Sequence, residues 1–346
     1  MHYPAPNYFT CTLGQAYLLK RDAQSLPSFK TITDMLDEQA SRLPDVPALG
    51  LAACTEETEI THGNLPFLLA RSTWRPQSNS QSIEHLCEEL EISCILVNTP
   101  YTSVNFEIGV DVQVINIPQL PMLSEVQIHA QGSDLETELG DRDPPFYFHT
   151  SGTSTGLPKP IPQASSIVSA LPRLDTASQP ATFSTTPLYH GGLIDCLRCW
   201  SSGAMLWLFP EAELPVTAGN VVRSIDACRK SCTVPIQYFS SVPYVLQMLA
   251  EDDYGIRTLQ SMKLVGVGGA ALATVTGDRL VAAGVNLLSR FGSAECGFLA
   301  SSHRDYSFDK EWQYLRFGDV KEFVKFEGRH DDLAELLVKP TWSLQS

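Results

Sequence analysis

The sequence predicts an α/β fold, two mainly parallel sheets with packed helices, followed by a small antiparallel C-terminal region. Three observations carry that expectation. Segments with apolar residues at helical spacing alternate with short apolar runs along most of the chain. After about residue 305 the alternation gives way to strand-like pieces alone. The 346 residues, 43% of them hydrophobic and 18% charged, can bury a sizeable core.

Taken in order, "TITDMLDEQASRLPDVPALG" reads as a helix with Thr33 or Asp34 near its cap. Ile32, Leu36, Ala40 and Leu43 form its apolar stripe, Pro44 stops it, and a strand should follow. "SIEHLCEELEISCILVN" repeats the pattern: Ile83, Leu86, Cys87 and Leu90 at helical spacing, then an apolar run from Cys94 to Val97. "VDVQVINI" is a further strand, and the polar, acidic residues 122–145 are a surface connection. Phe146 to Thr150 resumes as strand. Helix, strand, helix, strand and turn then follow in "NVVRSIDACRKSC", "TVPIQYF", "VPYVLQMLAED" and "KLVGVGG", and the cycle closes with "GDRLVAAG" and "VNLLSRFGSAE". "WQYLRFGD", "KEFVKFEG" and "LAELLVKP" make the antiparallel end, with a "GRHDD" turn between the last two.

Charge narrows the function classes. With 39 acidic against 24 basic residues and a net of −15, the chain lacks the basic footprint of a nucleic-acid or anionic-membrane binder. Proteins or small molecules remain as partners. The first residues carry no basic segment leading into an apolar core, and no run approaches the ~20 apolar residues of a membrane span. A soluble, cytoplasmic protein is expected. The nine cysteines are irregularly spaced. "CLRC" (Cys196, Cys199) and "CRKSC" (Cys228, Cys232) together could supply four zinc thiolates, but their separation exceeds that of common zinc ribbons. Buried thiols on helix faces are the preferred reading.

"FYFHTSGTSTGLPKPIPQ", residues 146–163, gathers hydroxyls, two glycines and one lysine directly after a strand. In open α/β sheets ligands sit beyond the carboxyl ends of strands. Backbone amides there form an anion nest, glycines permit close approach, and Lys159 adds a point charge suited to phosphate. It is not a Walker loop, because the lysine does not follow the second glycine directly. Taken alone, a plain polar turn explains the stretch equally well.

The stretch "TSGTSTGLPK" resembles the phosphate loop of the adenylate-forming superfamily, which includes acyl-CoA and aryl-CoA synthetases and nonribosomal-peptide adenylation domains. Three more stretches match in the expected order: "PLYHGG" (187–192), "GVGGAAL" (266–272) and "RFGSAECG" (290–297). "HTSG…GLPKPI" together with "WQYLR" is most similar to the adenylation domains of fungal NRPS-like enzymes and adenylate-forming reductases.

The resemblance implies a reaction that joins a carboxylate to the α-phosphate of ATP with Mg2+, then passes the acyl group to a thiol. It implies that Thr150, Ser151, Gly152, Thr153, Ser154, Thr155, Gly156 and Lys159 cradle phosphates. Glu295 would hold magnesium, Phe291, Gly292 and the turn Gly268, Gly269, Ala270 would flank the adenine, and His190 would sit by the acyl group. Taken singly, Glu295 also reads as a helix N-terminal carboxylate, His190 as a core histidine and the glycines as turn formers. The acyl pocket would be lined from the segment after His190, from Phe239 to Tyr244 and from residues 291–297. Asp195 is a candidate partner for a substrate amino group, although a solvated helix surface is the commoner fate of such a residue. An aromatic or other non-amino acid is therefore the expected substrate.

On this resemblance residues 1–304 make up the N-terminal adenylate-forming domain and 305–346 a partial antiparallel β region. The lid domain with its catalytic lysine, the carrier domain and the reductase would lie outside the chain. "TSGTSTG" also has one residue more than the family's usual "TSGTTG". Three readings follow: an acid-activating enzyme completed by a carrier protein or separate polypeptide, a catalytically inactive relative that binds nucleotide or acid, and a truncated fragment of a longer NRPS-like protein.

Overall fold

The computed structural model describes residues 4–22, 24, 26–52, 57–61, 80–98, 109, 111–117, 144, 146–149, 156–163, 167–171, 173–174, 179–210, 213–231, 234–317, 324–330 and 333–339. The chain divides into two compact units, residues 1–69 with 166–346, and residues 70–165.

The first unit opens with α1 (Leu13–Arg21), α2 (Ile32–Arg42), β1 (Pro47–Ala52) and β2 (Glu57–Thr61). The second unit holds α3 (Ser80–Glu89), β3 (Cys94–Asn98), β4 (Gln113–Ile117), β5 (Phe146–His149) and β6 (Pro160–Gln163). The first unit then resumes with α4 (Ile167–Ala170), β7 (Ala181–Ser184), a π-turn (Leu188–Gly192), α5 (Leu193–Ser201), β8 (Leu206–Leu208) and α6 (Ala218–Ser231). It continues through β9 (Ile236–Ser241), α7 (Pro243–Glu251), α8 (Asp253–Gln260), β10 (Leu264–Val267) and α9 (Thr274–Ala282). It ends with β11 (Leu287–Ser293), β12 (Gly297–Ser301), β13 (Val324–Gly328) and β14 (Ala334–Val338).

Helix starts are chemically marked. Thr12 caps α1 by accepting from the Gln15 N–H while the Gln15 side chain accepts from the Thr12 N–H, so two orphan donors are satisfied reciprocally. The same box between Thr31 and Asp34 starts α2. The cap is therefore Thr31, not Thr33 or Asp34. The buried face of α2 is Met35, Leu36 and Gln39, with the Gln39 amide donating to the Trp200 carbonyl at 2.7 Å. Ile32, Ala40 and Leu43 are only half-buried.

The first unit is built on one eight-stranded sheet in the order β12, β11, β10, β9, β7, β8, β1, β2. The six central strands are parallel, and antiparallel β12 and β2 form the edges. Strands covered on both faces must be apolar throughout, and β10 is buried at every position. Phe183, Trp207, Phe239, Leu246, Val265 and Leu287 form the heart of the core. Burying each such side chain contributes roughly 1.5–3 kcal/mol. Gly50 pairs with Trp207 across the sheet, and a Cβ there would come within 2.3 Å of the indole. Only glycine leaves room for that ring.

The second unit contains a parallel pair, β3 with β4, under Ile83 and Cys87 of α3. The expected helix and both strands are present. β5 pairs with β6 in an antiparallel two-stranded sheet, so the loop 150–159 joins two antiparallel strands. The strand expected from Phe146 is present, to His149. Most of the connection 122–145, and Thr150, lie outside the described residues.

The antiparallel end is present as β13 with β14. "WQYLR" departs from its expected strand, contributing only an isolated bridge between Arg316 and Ser301. Trp312 is instead buried over Gly277 of α9, its indole N–H donating to Asp278 at 2.8 Å. No helix among the described residues is long and apolar enough to cross a membrane.

Candidate active site

Sheet order locates the site. The chain leaves β7 through α5 to β8 on one side, and leaves β9 through α7 and α8 to β10 on the other. Between the carboxyl ends of β7 and β9 the direction of winding reverses, and it is at such a switch point that α/β sheets bind ligands. Five hydroxyl residues collect there. The Thr185 hydroxyl donates to Ser241 Oγ at 3.1 Å, Thr186 Oγ1 lies 3.3 Å from Ser240 Oγ, and the Thr186 N–H donates to Ser184 Oγ at 3.1 Å.

Asp195, on the first turn of α5, faces this end of the sheet and is buried. Arg290 of β11 reaches it with Nη1 at 2.9 Å from Oδ1 and Nη2 at 3.4 Å from Oδ2. Arg290 Nη2 also donates to Ser240 Oγ, and the Ser240 hydroxyl donates to Asp195 Oδ2. Gly266 makes the arrangement possible: a Cβ there would stand 2.8 Å from Phe9 Cζ and 3.1 Å from Arg290 Nε. The guanidinium lies 5.0 Å from the Phe9 ring centroid, and Phe9 stacks on Tyr238 at 4.9 Å. Asp195 is thus neither solvated on a helix surface nor free to receive an amino group.

A second guanidinium lies behind the first. Arg198, also on α5, is buried, with Nη2 donating to the Tyr8 carbonyl at 2.7 Å and the Cys11 carbonyl at 2.6 Å. Nearby thiols and phenols add no negative charge. Burial pushes Cys11 and Tyr238 up to about 12, and raises Tyr8 and Cys199 likewise. Two guanidiniums therefore face one carboxylate.

Beyond the end of β10, Gly268 donates its N–H to the Ser241 carbonyl at 3.2 Å and begins the turn Gly268, Gly269, Ala270, of which Gly269 and Ala270 are exposed. Gly269 adopts φ +82°, which favours glycine. A Cβ at Gly268 would press within 3.1 Å of the Arg290 carbonyl. β11 runs on past β10, paired only with β12, and carries Phe291 and Gly292 into solvent. Gly292 must lack a side chain, because a Cβ would sit 2.2 Å from the Gly297 carbonyl. Glu295 is exposed in the hairpin turn between β11 and β12, not at a helix N-terminus.

Of the expected pocket-lining residues, Phe239 belongs to the core and Tyr244 is largely exposed at the start of α7. His190 falls in the π-turn, and its side chain lies outside the described residues. In the second unit Gly156 (φ +77°) and Lys159 are exposed between β5 and β6. Thr150, Ser151, Gly152, Thr153, Ser154 and Thr155 lie outside the described residues. Cys196, Cys199 and Cys228 are buried on α5 and α6, and Cys232 also lies outside the described residues.

Ser240 falls in the expected lining stretch Phe239 to Tyr244 and Arg290 opens the quoted motif 290–297, but their bonds to Asp195 were not foreseen. "FSS" reads as a strand end and "SR" as part of another. The available signal was hydroxyl residues and one arginine at the carboxyl ends of strands, where ligands bind.

No protein-family model matches the chain. Curated relatives do. An adenylate-forming reductase, stbB, of Stachybotrys bisbyi is 32% identical over 212 residues, 59% of this chain and 17% of that protein. The non-canonical non-ribosomal peptide synthetase ascB of Acremonium egyptiacum is 34% identical over 176 residues, 49% of this chain and 15% of that protein. The chain thus spans less than a fifth of the length of these relatives. Among solved structures, Mycobacterium smegmatis MbtA superposes with a TM-score of 0.67 at 16% identity, covering 94% of this chain and 69% of that one. The Klebsiella oxytoca NpsA N-terminal subdomain, in complex with 3-hydroxybenzoyl-AMSN, gives 0.59 at 16% identity, covering 79% and 76%. The chain is a relative of the fungal adenylate-forming reductases and NRPS-like synthetases and has the fold of an adenylation domain.

Proposed function

We propose that the chain activates an aromatic or other non-amino carboxylic acid as its acyl-adenylate in secondary metabolism, using ATP and Mg2+. The observation that carries this reading is the switch point between β7 and β9, with the Gly268–Ala270 turn at the end of β10 and the hairpin bearing Phe291 and Glu295 at the end of β11. Under it, residues 1–304 are the adenylating domain and 305–346 a partial β region. A carrier protein or separate polypeptide would accept the acyl group.

The residues present fit the nucleotide and the metal. The turn Gly268, Gly269, Ala270 has no bulk to obstruct a flat base, and Phe291 on β11 offers an exposed aromatic face. Glu295 supplies the single carboxylate that magnesium needs when phosphates and water complete its shell. Bound magnesium would neutralise charge that develops on the phosphates. The loop Thr150 to Gly156 would donate amides and hydroxyls to phosphate oxygens, and Lys159 a point charge. His190 would orient the acid. The Asp195 carboxylate, held by Arg290, supports an acid without an ammonium group.

Calorimetry with ATP and magnesium tests the nucleotide half, and acid-dependent exchange of labelled pyrophosphate into ATP tests the chemistry. Heat of binding that is lost in Lys159→Ala and Glu295→Ala supports the proposal. Equally null titrations for wild type and variants overturn it. Binding without exchange over a broad acid panel would leave a nucleotide-binding relative without chemistry.

A further inference from the structure

Resting on the adenylation reading, we propose that the N-terminal segment Asn7–Cys11 is an autoinhibitory strap. Its Phe9 ring fills the slot beside Arg290 that the ring of an incoming aromatic ligand would take, and keeps it shut until the segment lifts.

The surroundings of Phe9 recognise a ring, not the chain that carries it. Tyr238 is one flat wall, stacked on Phe9 at 4.9 Å with 12° between the planes. The Arg290 guanidinium, 5.0 Å from the Phe9 centroid, is another. Gly266, paired with Ser240 across the sheet, is the bare floor: a Cβ there would stand 2.8 Å from Phe9 Cζ and 3.2 Å from Cε1. All three contacts are made by the ring, so a planar ring of the same size on a ligand would meet the same surfaces.

The way Phe9 is tethered separates it from the core. Phe183 and Phe239 stand on β7 and β9, whose backbones are laddered to each other. Residues 4–12 lie in no helix or strand. The Phe9 amide donates to the Asn7 side chain at 2.9 Å and the Cys11 amide to the Asn7 carbonyl at 2.9 Å, so the segment is a turn closed on itself. Among the described residues, side chains alone bond it to the rest of the fold. Arg198 Nη2 donates to the Tyr8 and Cys11 carbonyls, and the Tyr8 hydroxyl donates to the Pro180 carbonyl at 2.6 Å and lies 3.0 Å from Thr182 Oγ1. The helix α1 that follows has its own capping box at Thr12, so the turn can lift without unwinding it or drawing a strand from the sheet. A ligand ring replaces the burial of Phe9 and leaves the cost of freeing the segment uncompensated. Its affinity is therefore lowered by about tenfold or more.

Two probes, AMP and benzoyl-sulfamoyl adenosine, are titrated calorimetrically into the full chain. Phe9→Ala empties the slot and should bind the benzoyl probe at least about tenfold more tightly than wild type, with AMP affinity unchanged. A ring with a merely structural role could only weaken binding when truncated, so the gain is the distinguishing readout. Equal or weaker benzoyl binding by a variant that still binds AMP overturns the inference. Should Phe9→Ala not fold, hydrogen exchange of the wild type decides: the benzoyl probe should speed exchange of the Phe9, Thr10 and Cys11 amides while AMP leaves it unchanged, and unchanged exchange with both overturns the strap. AMP binding with neither response leaves the nucleotide reading standing and removes the strap alone. Failure of both probes to bind either protein overturns both.

Discussion

Asp195→Asn should destabilise the fold more than Arg290→Met. The two partners are close, with Nη1 at 2.9 Å from Oδ1, and both are largely buried. At that separation and an effective dielectric near 20, their gross attraction is about 6 kcal/mol. Desolvation cancels much of it, and breaking such a pair from one side costs about 3–5 kcal/mol because the survivor stays buried without its partner. The survivors differ here. Removing Arg290 leaves Asp195 with the Ser240 hydroxyl and with Arg198 in electrostatic reach, so the carboxylate is partly compensated. Removing the Asp195 charge leaves two guanidiniums and no carboxylate. Asp195→Asn should therefore cost about 3–5 kcal/mol and Arg290→Met only about 1–3 kcal/mol. The double variant, with one guanidinium remaining, should lie close to Arg290→Met.

Urea unfolding followed by tryptophan fluorescence at neutral pH measures all three, and the linear extrapolation supplies the free energies. The cycle isolates the pair term. Strictly additive losses would refute a coupled pair. An Arg290→Met loss as large as that of Asp195→Asn would refute the role given to Arg198.

Two further outcomes follow from the core. Burial above all pushes the His303 imidazole down to about 4, from its ordinary 6.5. Its folded pKa lies below its unfolded one, so protons favour the unfolded chain. Stability is full above 6.5 and falls as the pH drops towards 4, by about 3 kcal/mol over the whole window. His303→Gln should flatten that part of the urea-midpoint profile, and a profile parallel to wild type would count against it. Gly277→Ala should lower the melting temperature despite alanine's better helix propensity, because the new Cβ would meet Trp312 Cζ2 at 2.1 Å. Overpacking of this kind costs about 1–3 kcal/mol, and a raised melting temperature would show that the indole yields freely.

What could be read in advance follows from the range of the interactions involved. β9, β10 and α6, α7, α9 were legible because parallel strands are apolar on both faces and the helices between them carry one stripe. Local chemistry misled where two candidates stood side by side. Thr31 and Thr33 both resemble caps, and only the reciprocal bond from Asp34 selects Thr31. "PIPQ" holds two prolines and does not read as a strand, yet it pairs at an edge with β5, where missing N–H donors are tolerated. "WQYLR" alternates as a strand should, but Trp312 finds deeper burial over a helix glycine.

The site illustrates the same limit. A single aspartate on a helix reads as solvated, because nothing within a few residues neutralises it. Its partner stands 95 residues away on another strand, and only sheet order brings the two together. Motif residues at strand ends and turns were named through the resemblance, since glycines, hydroxyls and one carboxylate taken alone also read as plain turns. The charge balance beneath them was not, since it depends on which helix covers which face. The motifs resemble a nucleotide site, while the ion pair between α5 and β11 is set by packing. Asp195, Ser240 and Arg290 should therefore change as a coupled set. Any one of them altered singly strands a buried charge or donor.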